Sequence, residues 1–307
     1  MLSLLNRYQG AVVGLAVGDA LGVPVEFKKV EEFEPVTDYQ YCEHFDLPPG
    51  CWSDDTAMAL CLANSLIESN GFDPVDQIKK YKQWLEFGYC TSTGKAKGVG
   101  QTILRTLLTH KEDSSPYVEV TTRHSEGNGS LMRLVPIPLY FRTDPASALK
   151  NAVLSSKVTH GAQICADACL YYTGLIIGAL NGVTKEELLL DLYSPIPDYF
   201  KDNIIEKEVL EVAKGSYKDT NPPFIVPSGY VVKTMEAALW AFYNTDNFAD
   251  GVLKAVNLGG DSDTVAAIYG QLAGAYYGID AIPTKWVEGV AKKEELLKVA
   301  SEILVTP

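Results

Sequence analysis

A chain of 307 residues, 47% of them apolar, is long enough to bury a sizeable core and too apolar to be disordered. Its net charge of −13 excludes the basic footprint of an electrostatic nucleic-acid binder. An anionic small molecule can still be held where helix N-termini, metals or a few local cations face it.

In chain order, the first predicted element is a helix from about Leu4 to Ala20, in which Gly10, Gly14 and Gly18 recur every four residues. Glycine costs a helix roughly 1 kcal/mol against alanine, so three at one spacing point to a face where another helix packs closely. The apolar run Ala11 to Val17 is closed by Asp19 and is too short to span a membrane. The expectation is a soluble, cytoplasmic monomer. Val23-Pro24-Val25-Glu26-Phe27 reads as extended, because the residue before proline avoids the helical region. Residues 28–50 read as loop, with a short strand at Tyr39-Gln40-Tyr41.

Helices are predicted over Ala57 to Ser69, stopped by Asn70-Gly71, and from Asp73-Pro74 to Phe87. A polar loop over 88–100 leads into a helix over Gln101 to Thr109, and its glycines match neither a Walker A nor a Rossmann spacing. A second loop, His124 to Ser130, precedes Leu131-Met132-Arg133. Further helices are expected over Asp144 to Ser155, Thr159 to Leu180, one or two within 183–215, then Tyr230 to Tyr243, Phe248 to Val256, Thr264 to Gly278 and 284–303. Period 3.6 dominates and period 2 is rare, so the chain reads as one all-α domain over 1–307. Six cysteines without a CxxC pair fit a reducing cytosol, with Cys165 and Cys169 on one helix face in the core. Trp52, Trp84, Tyr276 and Tyr277 are expected in the core too.

Two turns carry the chemistry. Ser53-Asp54-Asp55-Thr56 and, after Gly259-Gly260, Asp261-Ser262-Asp263-Thr264 each place acids and hydroxyls ahead of an apolar helix. Either turn alone is accounted for by ordinary N-capping. Together they hold more carboxylate than caps require, and all-oxygen clusters suit hard divalent cations. Read alone, Glu26 is a surface acid and His160 a capping or satisfied histidine. Gly127-Asn128-Gly129-Ser130 is either a tight turn or a nest of N–H groups for a phosphate with Arg133 nearby.

The ordered set Gly14-(x)₃-Gly18-Asp19-Ala20-Leu21-Gly22-Val23-Pro24-Val25-Glu26, Trp52 to Thr56, Gly127 to Arg133, Thr159-His160 and Asn257 to Thr264 resembles the ADP-ribosylglycohydrolase family, over about residues 10–280. The resemblance implies an all-α fold with two divalent cations, Mg²⁺ or Mn²⁺, at the base of a cleft. It implies Ser53, Asp54, Asp55, Asp261, Asp263 and Thr264 as metal ligands, and Glu26 beside them in gating or proton transfer. Gly98, Val99, Gly100, Gly127, Asn128, Gly129, Ser130 and His160 fall on segments lining the ADP-ribose site. Arginine-specific relatives often carry an acid in an Asp-Ile-Gly pattern where this chain has Gly98-Val99-Gly100, a departure that bears on linkage specificity.

The expected activity is hydrolytic removal of ADP-ribose from a modified protein or small molecule. A metal-activated water attacks C1″ of the distal ribose, with Asp55 or Glu26 handling the proton and arginine slightly favoured as the acceptor. The competing readings are a silent ADP-ribose binder and a hydrolase of a free ADP-ribosyl metabolite.

Overall fold

The computed structural model describes residues 2–111, 113–119 and 125–306, and within them every regular element is a helix. Ser3 caps α1 (Leu4–Gly22) by accepting from the Asn6 N–H. Val23–Val25 follows as a 3₁₀ turn rather than an extended segment, because Pro24 sits where a helix tolerates it, in the first turn. Tyr39–Tyr41 forms no strand; the pairing in this region is an isolated bridge between Cys42 and Leu47.

The helix α2 (Asp54–Ser69) starts at the first acid of its turn, three residues before the predicted start, and ends on Asn70 in the left-handed region. Asp73 caps α3 (Pro74–Phe87) through the Val75 and Asp76 N–H groups, and Gly88 closes it at φ 70°. Next come α4 (Gln101–Thr109), α5 (Pro136–Tyr140) and α6 (Pro145–Lys157), the last capped by Asp144. The buried α7 (Gln163–Leu180) begins three residues beyond His160, whose N–H instead donates to Ser156 O in the turn closing α6.

Three short helices cover 185–213: α8 (Lys185–Leu188), α9 (Tyr199–Asp202) and α10 (Lys207–Ala213). The rest are α11 (Val231–Tyr243), α12 (Phe248–Val256), α13 (Ser262–Tyr277), α14 (Thr284–Gly289) and α15 (Lys293–Val305). His124 of the second predicted loop lies outside the described residues.

One large cluster of buried side chains runs through α1, α2, α7, α11 and α13, with Trp52 and Trp84 inside it and Tyr276 and Tyr277 packed half-buried against it. All six cysteines are free, with Cys165 and Cys169 buried as expected. The N-terminal helix is longer and more apolar than the run Ala11 to Val17 suggests: Leu4–Val25 and Gln163–Leu180 both have the length and hydropathy of a membrane span, but 94% of each window is buried inside the protein.

The helices α1 and α13 lie antiparallel with backbone against backbone. A Cβ on Gly274 would stand 1.9 Å from Gly10 O, one on Gly14 would stand 2.5 Å from Gly270 O, and one on Gly18 2.1 Å from Ala266 O. The glycine stripe therefore has a partner stripe, Gly270 and Gly274. Its effect is to set the C-terminal end of α1 beside the N-terminal end of α13. Replacing Gly274 with alanine, which retains helix propensity, is expected to cost about 2–3 kcal/mol through overpacking, read as a lower urea midpoint at unchanged slope. An unaltered midpoint would remove the seam as a constraint.

Candidate active site

The first turns of α2 and α13 meet at the floor of a cleft of about 780 Å³, a volume within the range of small-molecule sites. The capping alternative can be decided here. Ser53 and Asp261 occupy the two N-cap positions, yet neither side chain accepts a cap hydrogen bond. Ser53 Oγ turns to Asp19 instead, and Asp261 faces Asn128 and the carboxylates of Glu26 and Asp263.

What holds the first turn in place is Asp19, in the last turns of α1. One carboxylate oxygen accepts from Ser53 N at 2.8 Å and Ser53 Oγ at 2.9 Å; the other accepts from Thr56 N at 3.0 Å and Thr56 Oγ1 at 2.7 Å. Asp19 thus caps α2 from another helix, with both carboxylate oxygens engaged by the first turn of α2. Sequence reasoning quoted it in a motif and gave it no task. The available signal was an acid at the end of a long apolar run, Gly10 to Gly18, where a carboxylate is buried only with partners.

The second turn depends on Gly259 (φ 67°) and Gly260 (φ 61°), whose Cβ atoms would fall 2.5 Å from Lys28 O and 2.4 Å from Pro227 O. Gly260 donates to Lys28 O at 2.8 Å and accepts from Phe27 N at 2.6 Å, which ties the Glu26 segment to this turn. Ser262 Oγ reaches back to Gly22 O, and Thr264 Oγ1 donates to Asp55 Oδ1 at 3.3 Å, joining the two acidic turns.

Carboxylate oxygens of Asp19, Asp55 and Asp263 lie within 4.8 Å of one another, and so do those of Glu26, Asp261 and Asp263. None of the ion pairs among the described residues involves Asp19, Glu26, Asp54, Asp55, Asp261 or Asp263. Burial raises the carboxyls of Asp54, Asp55 and Asp263 well above the usual range, and neighbouring acids raise them further. Asp19 and Asp261 are also raised by burial, against the hydrogen bonds they accept. Glu26 is pushed up to about 12 by burial and then by Asp263, Asp261 and Asp54. Two buried oxygens, Asp55 Oδ2 and Glu26 Oε2, have no hydrogen-bond partner. An all-oxygen, uncompensated set with orphaned acceptors fits divalent cations.

The other predicted residues divide into those at the cleft and those turned away. Glu26, Asp54, Asp261, Asp263 and Thr264 line it, as do Gly98, Val99, Gly100, Gly127, Asn128, Gly129 and His160. Ser53 and Asp55 are buried beneath the floor. Ser130 is turned inward, where its hydroxyl accepts from Ser156 Oγ at 2.8 Å, so it supplies no side chain to the cleft. Asn128 faces Asp261, donating from Nδ2 to Asp261 Oδ2 at 2.5 Å and to Thr234 Oγ1 at 3.0 Å. Its own N–H is occupied by Gly229 O, so the loop offers fewer free donors than a full nest. Arg133 is wholly buried and donates to Thr159 Oγ1, so it does not reach a phosphate directly. Gly98 (φ 77°) passes so close to the floor that a Cβ would stand 2.4 Å from Asp54 Oδ1. Phe27, His44 and Phe45, given no site role by the sequence, meet edge to face in the lining of the cleft.

The model of the ADP-ribosylglycohydrolase family matches residues 1–306. The chain belongs to the ADP-ribosylglycohydrolase family. It is accordingly an enzyme, a hydrolase that removes ADP-ribose. Among its relatives, the ADP-ribosylarginine hydrolase Tri1 of Pseudomonas putida is 35% identical, over 97% of this chain and 78% of that protein. The ADP-ribosyl-[dinitrogen reductase] glycohydrolase of Rhodospirillum rubrum is 30% identical over 95% and 93%. A solved structure described as an ADP-ribosylglycohydrolase-related protein complex superposes with a TM-score of 0.85 at 37% identity, covering 98% of both chains.

The raised carboxyls give a stability test with a definite sign. A group whose pKa is higher folded than unfolded contributes stability at low pH and loses it as pH rises, so the cation-free protein carries this penalty at neutral pH. Saturating Mg²⁺ or Mn²⁺, at about 100 times its dissociation constant, is expected to raise Tm by about 4 °C at pH 7.5. The gain should shrink toward pH 5, where protons compete. A gain independent of pH, or none at all, in scanning calorimetry would contradict a cation site here.

Proposed function

We propose that the chain is a divalent-cation-dependent hydrolase that releases ADP-ribose from modified arginine side chains. The observation that carries the cation dependence is the set of carboxylates without an ion-pair partner at the cleft floor, Asp54, Asp55 and Asp263 buried and Glu26 and Asp261 half-buried, with two partnerless oxygens. The arginine linkage is supported by the relatives: the Tri1 proteins of Pseudomonas putida and Serratia proteamaculans, both named ADP-ribosylarginine hydrolases, are 35% and 33% identical, whereas ADP-ribosylhydrolase ARH3 of Gallus gallus is 25% identical.

Ser53, Asp54, Asp55, Asp261, Asp263 and Thr264 are the residues that would hold two cations, Mg²⁺ or Mn²⁺. When bound, such cations offset the carboxylate charge, orient the ribose hydroxyls and lower the pKa of a water. Asp19 keeps Ser53 and Thr56 in register, and Asn128 orients Asp261.

Proton transfer falls to Glu26 rather than Asp55. Glu26 lines the cleft, while Asp55 is fully buried and faces Asp19, Thr264 and Asp263. In the reaction the bond from C1″ to the acceptor nitrogen breaks and water oxygen takes its place. Glu26 carries the proton to the departing nitrogen, which accounts for both atoms and charge.

A panel of arginine-, serine- and base-linked ADP-ribosyl substrates with Mg²⁺ and Mn²⁺ tests the linkage: turnover of the arginine-linked substrate is expected, and turnover of only another linkage refutes it. Glu26→Gln should lower kcat by about 10²–10⁴ with Mn²⁺ binding retained by electron paramagnetic resonance, whereas Asp55→Asn should lose both. Full activity after exhaustive EDTA treatment would end the cation-dependent reading.

A further inference from the structure

Arg133 has no task in the proposed reaction, yet its guanidinium is wholly buried and none of the ion pairs among the described residues includes it. A buried cation without a carboxylate is costly to keep. Its partners are neutral: Thr159 Oγ1 at 2.6 Å, Ser155 O at 3.5 Å, Met58 Sδ at 3.9 Å, and the ring of Tyr81, whose centroid lies 4.5 Å from the guanidinium carbon. Nε has no partner at all.

The contact with Thr159 decides a proton position. Arginine only donates, so Thr159 Oγ1 accepts from it. The hydroxyl oxygen could accept once more, from an Nδ1–H, but its own hydrogen would then have no acceptor, since among the described residues Oγ1 has only Arg133 and His160 Nδ1, 2.8 Å away, as partners. Nδ1 is therefore the acceptor, and the ring proton sits on Nε2. That edge of the ring faces Gly127 and Gly129, where a Cβ would come within 3.5 Å and 3.2 Å of Nε2. His160 is itself buried, 1% exposed, and because neither glycine carries a side chain its Nε2 edge forms part of the cleft lining.

We propose that Arg133 and Thr159 are positioning residues that hold His160 as its Nε2–H tautomer and polarise that N–H toward an anionic ligand oxygen, which on the ADP-ribose reading above belongs to the diphosphate. The arrangement gives the wall one oriented, charge-backed donor without placing a cation in the cleft, where it would pair with the floor acids. Burial, with the Arg133 charge beside it, also lowers the His160 pKa to about 3, so the ring is neutral and its tautomer is the property that matters.

The test begins with ligand-free protein carrying ¹⁵N-labelled histidine, with the His160 signals assigned by their loss in His160→Gln. Long-range proton–nitrogen spectra should show a protonated Nε2 and an unprotonated Nδ1, and an Nδ1–H tautomer would overturn the proposal without any folding question. Thr159→Val should mix the tautomers and weaken ADP-ribose binding about tenfold by calorimetry, with Mn²⁺ binding unchanged, and Thr159→Ser should restore both. An unchanged tautomer and affinity in Thr159→Val would reduce Arg133 to packing. A fixed Nε2–H in an unaltered protein that binds no ADP-ribose would refute the ligand assignment and leave the relay intact.

Discussion

The close approach of α1 and α13 is the constraint on which the site depends. Four glycines on two helices, Gly10 and Gly14 against Gly270 and Gly274, let carbonyl oxygens sit where Cβ atoms would otherwise be. Close-packed backbones cannot slide or rotate without collision, so the seam defines position as well as proximity. It brings Asp19, Gly22 and Glu26 at one end of α1 to Asp261 and Asp263 at the start of α13. Only one further link is then needed to recruit the turn at residues 53–56, and the Asp19 carboxylate provides it with four hydrogen bonds.

That architecture concentrates negative charge where protein groups do not neutralise it. Two helix N-termini point into the cluster and supply partial positive charge, but no lysine or arginine pairs with any of the six acids among the described residues. Gly98 belongs to the same logic. Its backbone lies against Asp54, and its left-handed conformation disfavours a side chain, so an acid at this position would need a different loop path.

Much of this was legible in the sequence, for identifiable reasons. Helices with strong caps, such as Pro74–Phe87 behind Asp73, carry local signals and were placed closely. The glycine stripe Gly10, Gly14 and Gly18 and a second one at Gly270, Gly274 and Gly278 were both legible as faces for close packing, and the structure sets the two against each other. The paired acidic turns announced a shared site, yet capping chemistry uses the same residue types, and only the absence of cap bonds at Ser53 and Asp261 separates the two. Direction was the chief loss. Ser130 and Arg133 stand in a loop that lines the cleft, but both point into the core, and a motif does not encode which way a side chain faces. Val23–Val25 curled into a 3₁₀ turn because a proline rule is local, whereas that segment is stapled to Gly260 from across the chain.

The seam also sets an order of events during synthesis. Gly22 and Ser262 are in contact in the fold but lie 240 positions apart in the chain. At about 5–20 residues per second, the partner of α1 emerges from the ribosome roughly 10–50 s after α1 itself. For that interval an apolar N-terminal helix, long enough to resemble a membrane span, lacks the helix that covers its glycine face. The same stripe of glycines that makes the finished contact close lowers the helix propensity of the waiting segment, which keeps it from forming a persistent apolar rod before its partner exists.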